Sequence, residues 1–329
     1  MNKGDPMADM PKEREDVIRS RRATYEILEI LGKGSFGAVF RVRRLEDNKE
    51  LAMKCESYKI LRHEARVLEG LRKVNSVHFI TYEDRGKVTG RFMFVVLRLV
   101  GKNLWDLRME SVDRRFSMPT SIRAAEQTLS GIRDLHICGF LHRDIKPPNF
   151  AIGREEDNTN HTIYILDFGL CRRYRTMEKD LRYMREKAAF RGTTRYASIG
   201  ALEMKEQSRR DDVEAWWYMI LEWMIGQLPW KHCRGADRAE VKMYKQQLRI
   251  ESNLKKVLKH TPTEYMSSIL LYVDTLEYNS VPDYDYVAAN LEAAMEAYHL
   301  NYSEPLDWDP LTEYKGPRYV KNLDYELKN

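Results

Sequence analysis

Strand signals crowd the first hundred residues of this chain and helix signals fill the rest. That order limits the fold more than any other feature. From Tyr25 to Arg44 (YEILEILGKGSFGAVFRVRR), apolar residues alternate on both sides of a glycine cluster, which predicts two strands joined by a Gly-rich turn. LAMKCE (51–56) predicts a third strand and RFMFVVLRL (91–99) a buried one, while Leu61 to Leu71 carries apolar residues at helical spacing. Beyond Gly101 an amphipathic helix is expected over Thr120 to His136, then short strands around LHRDIKPPNFAI and TIYILDFGL, then helices from Arg210 to near Leu300. The implied fold is α+β, with a small β-rich lobe and a larger α-helical one. A ligand site is expected in the cleft between them. The expected boundaries are a mobile, charged extension over 1–22, a domain over 23–300 divided near residue 100 (23–100 and 101–300), and a C-terminal extension over 301–329.

Composition closes off several alternatives. With 43% hydrophobic and 32% charged residues in 329, the chain can bury a sizeable core and is not of the disordered class. A net charge of +5 is mild for this length, so no nucleic-acid partner is expected. The four cysteines (Cys55, Cys138, Cys171, Cys233) form no C-x-x-C pair, which argues against a zinc site and a disulfide framework. A reducing compartment, cytoplasmic or nuclear, is expected. The N-terminus has no apolar run of the kind a secretory signal needs. The most apolar stretch, Ala215 to Gly226, is interrupted by Glu222 and falls short of the ~20 residues that span a bilayer, so it predicts a buried helix and no membrane association. Trp216, Trp217 and Trp223 within it are expected to pack between helices.

The chemistry-bearing residues occur in a fixed order. Gly32-Lys33-Gly34-Ser35-Phe36-Gly37-Ala38-Val39 lets backbone N–H groups approach phosphate oxygens without a Cβ in the way. A dinucleotide-binding turn shares G-x-G-x-x-G, but that turn opens a helix, whereas FRVRR here continues a strand. Lys54 alternates out of an apolar strand, where it either meets phosphate in the cleft or is merely solvated. His142-Arg143-Asp144-Ile145-Lys146-Pro147-Pro148-Asn149 sets three polar groups on one loop. An aspartate there can accept a hydroxyl proton, a lysine can neutralise a phosphoryl oxygen, and an asparagine oxygen can bind a divalent metal. Asp167-Phe168-Gly169 then closes a strand with a second metal-ligand candidate.

In this order and spacing the motifs resemble the eukaryotic protein kinase family over about residues 25 to 300. HRDIKPPNFAIG, FRGTTRYASIGA, QSRRDD and GQLPW resemble the casein kinase 1 group, and the late PLDWDP adds a likeness to its tau-tubulin kinase branch. The resemblance implies a bilobal kinase fold acting on Ser/Thr hydroxyls with ATP and Mg²⁺. Gly32, Lys33, Gly34, Ser35, Phe36 and Gly37 would cover the phosphates and Lys54 would hold two of them. Glu64 would orient Lys54, with Glu69 as runner-up and Glu56 excluded as still on the strand. Asp144 would be the base, Lys146 would bind the transferred phosphoryl group, and Asn149 and Asp167 would hold Mg²⁺. Val39 and Ala52 would lie above the adenine and Ala151 and Leu166 below it. Leu97 would be the gatekeeper, and Leu99 and Val100 would give hinge hydrogen bonds. Ala151 and Arg98 depart from the larger aliphatic and the Glu or Gln usual at their positions. Asp212, rather than Asp211, would cap the catalytic loop, and His142 would pack beneath it. Cys171 is expected to be an inert buried thiol.

From Leu170 to Arg195 there are nine Lys/Arg and three acidic residues, a local +6. A solvated surface run is the ordinary meaning of such a stretch. The resemblance makes it the activation segment, beside the substrate groove. Acidic or already phosphorylated protein substrates are then expected, with an anion pocket at Arg195 supported by Lys231 or Lys242. The rival expectation is an inactive scaffold of the same fold. A monomer is expected.

Overall fold

The computed structural model describes residues 9–34, 37–56, 58–175 and 181–310, with the side chains of 58–60 left out. An antiparallel sheet of six strands builds the small lobe: β1 (Val17–Arg19), β2 (Thr24–Lys33), β3 (Gly37–Arg44), β4 (Glu50–Glu56), β5 (Tyr82–Val88) and β6 (Phe92–Arg98), in the order β1-β2-β3-β4-β6-β5. The alternation read in the sequence sorts its two faces. Phe40, Val42, Leu51, Met53, Phe94 and Val96 form a closed core on the outer face. On the opposite face Val39 lies across from Lys54, and Ala52 across from Leu97. This face looks into the cleft. Helix α1 (Tyr58–Leu71) packs against β6 through Leu61, Ala65 and Leu68, and that register buries Glu64 to 1% exposure on the same side.

The expectation of a mobile segment over 1–22 is corrected over its described part. Val17–Arg19 pairs with Glu26–Thr24 as the outermost strand, and Met10 and Ile18 are buried in the outer-face core. Two apolar residues among many charges were enough to dock it.

The large lobe is helical: α2 (Leu104–Glu110), α3 (Met118–Ile137), α4 (Ile199–Leu202), α5 (Arg209–Ile225), α6 (Arg238–Gln247), α7 (Glu251–Val257), α8 (Thr263–Thr275) and α9 (Tyr284–Ala297). Helix α5 is buried around nearly its whole circumference and is packed by α3 and α8. The Trp216 indole donates to Thr128 Oγ1 (3.0 Å) and that of Trp217 to the Met266 carbonyl (3.0 Å), so these rings are structural, as expected. None of the described helices is long and apolar enough to cross a membrane. The folded unit runs past residue 300: Leu306 is buried and Asp307 accepts from the Ser117 hydroxyl (2.6 Å) and from Thr120 Oγ1 (3.0 Å) at the start of α3.

Two short hairpins lie on the large-lobe side of the cleft. β7 (Phe140–Leu141) pairs with β10 (Arg172–Arg173), and β8 (Phe150–Ile152) with β9 (Ile163–Ile165). The HRD loop leaves β7 and returns as β8, and the DFG tripeptide follows β9, so both motifs emerge side by side at the cleft.

Candidate active site

One lysine joins the two lobes. Lys54 Nζ lies 2.7 Å from Glu64 Oε2 on α1 and 3.1 Å from Asp167 Oδ1 after β9. Burial alone would lower the Lys54 pKa, but Glu64, Asp167 and Glu56 together outweigh it and hold the ammonium well above its ordinary value. Burial opposes the ionisation of Asp167 in turn, and Lys54 overrides it, leaving Asp167 below the usual carboxylate range. The Phe168 N–H donates to the second Glu64 oxygen at 3.2 Å, and the Phe168 ring is wholly buried against His142. Glu64 therefore contacts both Lys54 and the backbone of the DFG turn. Glu69 pairs with Arg85 instead (2.7 Å). Glu56 was set aside as a strand residue, yet it reaches Lys54 at 3.5 Å, because Lys54 and Glu56 project from the same face of β4.

On the loop after β7, Asp144 Oδ2 lies 2.7 Å from Lys146 Nζ, and Asp144 Oδ1 accepts from Thr193 Oγ1 at 2.7 Å. Lys146 also donates to Thr193 (3.2 Å), so the three side chains form a closed triangle. The Asn149 amide nitrogen donates to the Asp144 carbonyl at 2.8 Å, which leaves its amide oxygen for another partner. Arg143 and Asp167 both have left-handed backbone (φ 65° and 58°), a strained state that clusters at working sites. Gly192 supports that turn: with φ 108°, a Cβ there would lie 2.5 Å from the Arg143 carbonyl oxygen. His142 is buried beneath the loop with Nε2 against the Leu166 carbonyl (3.0 Å).

Asp212, near the start of α5, accepts from the backbone N–H groups of His142 and Arg143 (both 2.8 Å) and contacts His136 Nε2 (2.8 Å). Burial works against its charge, but these donors hold its pKa below normal. Asp211 does different work: it accepts from the Ser198 hydroxyl (2.5 Å) and the Ser208 N–H (2.7 Å), and burial pushes its carboxyl up to about 6. Cys171 is buried, and burial pushes its thiol up as expected of an inert cysteine.

The cleft roof carries Val39, Ala52 and the buried Leu97, and its floor carries the buried Ala151 with the half-buried Leu166. Past β6, Leu99 and Val100 make no backbone hydrogen bond to another described residue. Arg98 turns away to Thr159 Oγ1 (3.2 Å) and stacks over Tyr164. Gly32 and Lys33 end β2 and Gly34 follows it; a Cβ at 32 would meet nothing. Gly37 is glycine for another reason: a Cβ would lie 1.9 Å from the Cys55 carbonyl oxygen. Ser35 and Phe36 lie outside the described residues.

The expected anion pocket is rearranged. Arg195 does line a cavity of about 420 Å³ beside Lys146 and Thr193, but its cationic neighbour there is Arg234. Lys231 instead contacts Gln227, and Lys242 pairs with Glu203 (3.6 Å). Which side of the GQLPW turn and of α6 faces the cavity was not readable from spacing. Arg195 and the buried Arg108 share one carboxylate, Glu222 (3.4 and 3.5 Å), which also accepts from the Tyr196 hydroxyl (2.6 Å). Below this loop the wholly buried Lys245 donates to the Ala197 carbonyl at 2.5 Å under the rings of Tyr218 and Trp230. Nothing in the sequence singled out Lys245 or Arg234. The rest of the +6 segment is less bare than its sequence: Arg172 and Arg185 meet Glu206, and Arg173 lies over Phe140.

Residues 25–279 match the family model described as "Protein kinase domain". The chain is 33% identical over 290 residues to the serine/threonine-protein kinase spe-6 of Caenorhabditis elegans, covering 86% of this chain and 75% of that one. It is 31% identical over 314 residues to casein kinase I homolog 1 of Schizosaccharomyces pombe, covering 93% and 68%. A probable serine/threonine-protein kinase of Dictyostelium discoideum is 32% identical over 296 residues; the alignment covers 88% of this chain but only 57% of that relative's length.

Proposed function

The chain belongs to the protein kinase domain family, with casein kinase I homologs among its relatives, and we propose that it transfers the γ-phosphoryl group of ATP to Ser/Thr hydroxyls of proteins. The observation that carries this reading is Lys54 held at once by Glu64 (2.7 Å) and Asp167 (3.1 Å) across the two lobes, which sets the lysine–glutamate pair that kinase chemistry uses beside the carboxylate that would hold Mg²⁺. The donor set suits the reactants: Lys54 is placed for phosphate oxygens, and the Asp167 carboxylate with the free Asn149 amide oxygen offers the hard oxygens that Mg²⁺ prefers. When bound, Mg²⁺ would neutralise charge on the transferred group. The chain supplies the rest by position. Asp144 faces the incoming hydroxyl and takes its proton, Lys146 screens the developing negative charge, and Asp212 fixes the loop that carries them both.

Acidic or phosphorylated substrates are the preferred class in this reading. Arg108 and Arg195 bring two positive charges to one carboxylate, so a substrate anion beside Asp144 meets net positive charge. Thr193 already ties Asp144 to Lys146, and Arg143 is engaged with the Leu170 carbonyl (2.9 Å), so the loop is ordered without an added phosphate. Unphosphorylated, bacterially produced protein is therefore expected to be active, as a monomer of the cytoplasm or nucleus. Incubation with labelled ATP, Mg²⁺ and casein tests the proposal: incorporation of label is expected. ATP binding without transfer would instead establish a catalytically silent scaffold.

A further inference from the structure

The small-lobe sheet has two outer strands, β1 and β5, and it curls until they approach each other. Tyr25 on β2 donates to Asp84 on β5 (2.8 Å), and Arg44 on β3 pairs with Glu83 (3.2 Å). A groove of about 690 Å³ stays open along this seam, between the β1–β2 turn, β5 and the end of α1. It shares no lining residue with the cavity at Arg195. Its walls carry Arg19 at the end of β1, Arg21 and Arg22 on the turn, Arg72 just past α1, and Arg85 and Lys87 on β5.

The three acidic residues in the walls are already engaged. Glu69 pairs with Arg85, Glu83 with Arg44 and Lys49, and Asp84 with the Tyr25 hydroxyl. The side chains of Arg19, Arg21, Arg22 and Lys87 make no ion pair with any described residue, and all four are exposed. Tyr82 also lines the groove. It is 8% exposed, its ring lies under the Arg72 guanidinium (5.0 Å), and its buried hydroxyl has no hydrogen-bond partner.

We propose that this seam is a docking groove for an acidic segment of the protein substrate, bearing phosphoserine or clustered Asp/Glu, at a distance in sequence from the hydroxyl that is phosphorylated. Charge complementarity selects the occupant: four unpaired cations face the groove. The interspersed carboxylates disfavour the continuous phosphate backbone of a nucleic acid, whereas a peptide can set its charges opposite the arginines. The proposal rests on the kinase reading only in calling the segment part of a substrate.

Binding is therefore measured without catalysis, by fluorescence anisotropy of a short labelled peptide of Gly, Glu and two phosphoserines. The full chain carries Arg195→Ala so that the cavity beside Asp144 contributes little. Arg21→Glu/Arg22→Glu is expected to weaken binding about tenfold and to flatten its salt dependence. With Arg195 intact, Arg21→Glu/Arg22→Glu raises KM for a substrate that tethers the acidic segment to an acceptor peptide. It leaves kcat, and the KM of the acceptor peptide alone, unchanged. Undiminished binding by the double variant, or tighter binding of a single-stranded RNA oligonucleotide than of the peptide, overturns the proposal. Intact binding with no phosphate transfer to any peptide overturns the kinase reading and leaves the groove standing.

Discussion

The two sides of the cleft solve the problem of buried charge differently. On the nucleotide side, Lys54, Glu64 and Asp167 come from three elements and satisfy one another, so the geometry exists only when both lobes are in place. On the substrate side, Asp144, Lys146 and Thr193 close a local triangle, while Arg195 leans on Glu222, a carboxylate that belongs to the helical core. Two adjacent aspartates extend the contrast below the cleft. Asp212 holds the catalytic loop and Asp211 holds the segment that carries Ser198. The nucleotide side is an assembled charge network and breaks when any member is lost. The substrate side is a scaffold with charge to spare and degrades by degrees.

Loss of the nucleotide network should be the largest effect. Lys54→Met and Asp167→Asn are each expected to reduce turnover by at least about 10³-fold, since each removes a preorganised charge from the phosphoryl path. Asp167→Asn should also remove the Mg²⁺ dependence of ATP affinity, read by calorimetry with and without the ion. Retained Mg²⁺-dependent affinity would break the assignment of Asp167 to the metal. Asp144→Asn should cost roughly 10²–10⁴-fold in kcat with ATP affinity largely preserved, because the base acts on the other side of the cleft. Near-normal turnover would remove Asp144 from the role of base.

The difference in construction also decided what the sequence disclosed. The network members lie in contiguous motifs with fixed offsets, so Lys54, Asp144, Asn149 and Asp167 were legible, and the resemblance put Glu64 ahead of Glu69. Substrate-side groups depend on which face of a turn or helix meets the cleft. Lys231 and Lys242 were indistinguishable in sequence from Arg234, and no motif marked Lys245, which α6 places under two aromatic rings. The docking of Met10 and Ile18 was hidden by their charged neighbours. Asp211 and Asp212 were separable only through the resemblance, because their roles follow from α5's orientation against two different loops.

Those two aspartates give the next effect in size, and it depends on pH. Asp211 has a folded pKa raised to about 6 from 3.8, so the folded state keeps its proton longer than the unfolded chain does. Stability from that proton is complete below the unfolded value and is lost as pH rises through about 6. Asp212 is shifted downward, so its contribution is present above the unfolded value and is lost as pH falls through the folded one. Replacing Asp211 by Asn should therefore improve stability relative to wild type between pH 4 and 7 by up to about 3 kcal/mol, the linkage value of a shift of that size. Asp212→Asn should instead lose stability relative to wild type only as pH rises through the region below about 4, and should run parallel to wild type between pH 4 and 7. Urea unfolding at several pH values measures both slopes, and slopes of the same sign would remove the distinction between the two carboxylates.

The smallest effect should be at Arg195, and it tests whether the substrate side has charge to spare. Removing this side chain does not orphan Glu222, which keeps Arg108 at 3.5 Å and the Tyr196 hydroxyl at 2.6 Å. Arg195→Ala should therefore fold with nearly wild-type stability, unlike a change that leaves a buried charge alone. What it loses is one of the three cations, with Lys146 and Arg234, that line the cavity beside Thr193. KM for acidic or phosphorylated peptides is expected to rise by about three- to tenfold, the scale of one partly exposed charge-assisted contact. Neutral peptides should be unaffected. Raising the salt should shrink the wild-type preference toward that of the variant, because about a third of the Arg195 side chain is open to solvent and its field is screened there. An equal rise in KM for acidic and neutral peptides would show that Arg195 shapes the loop and does not read charge. The local +6 would then be only a solvated surface.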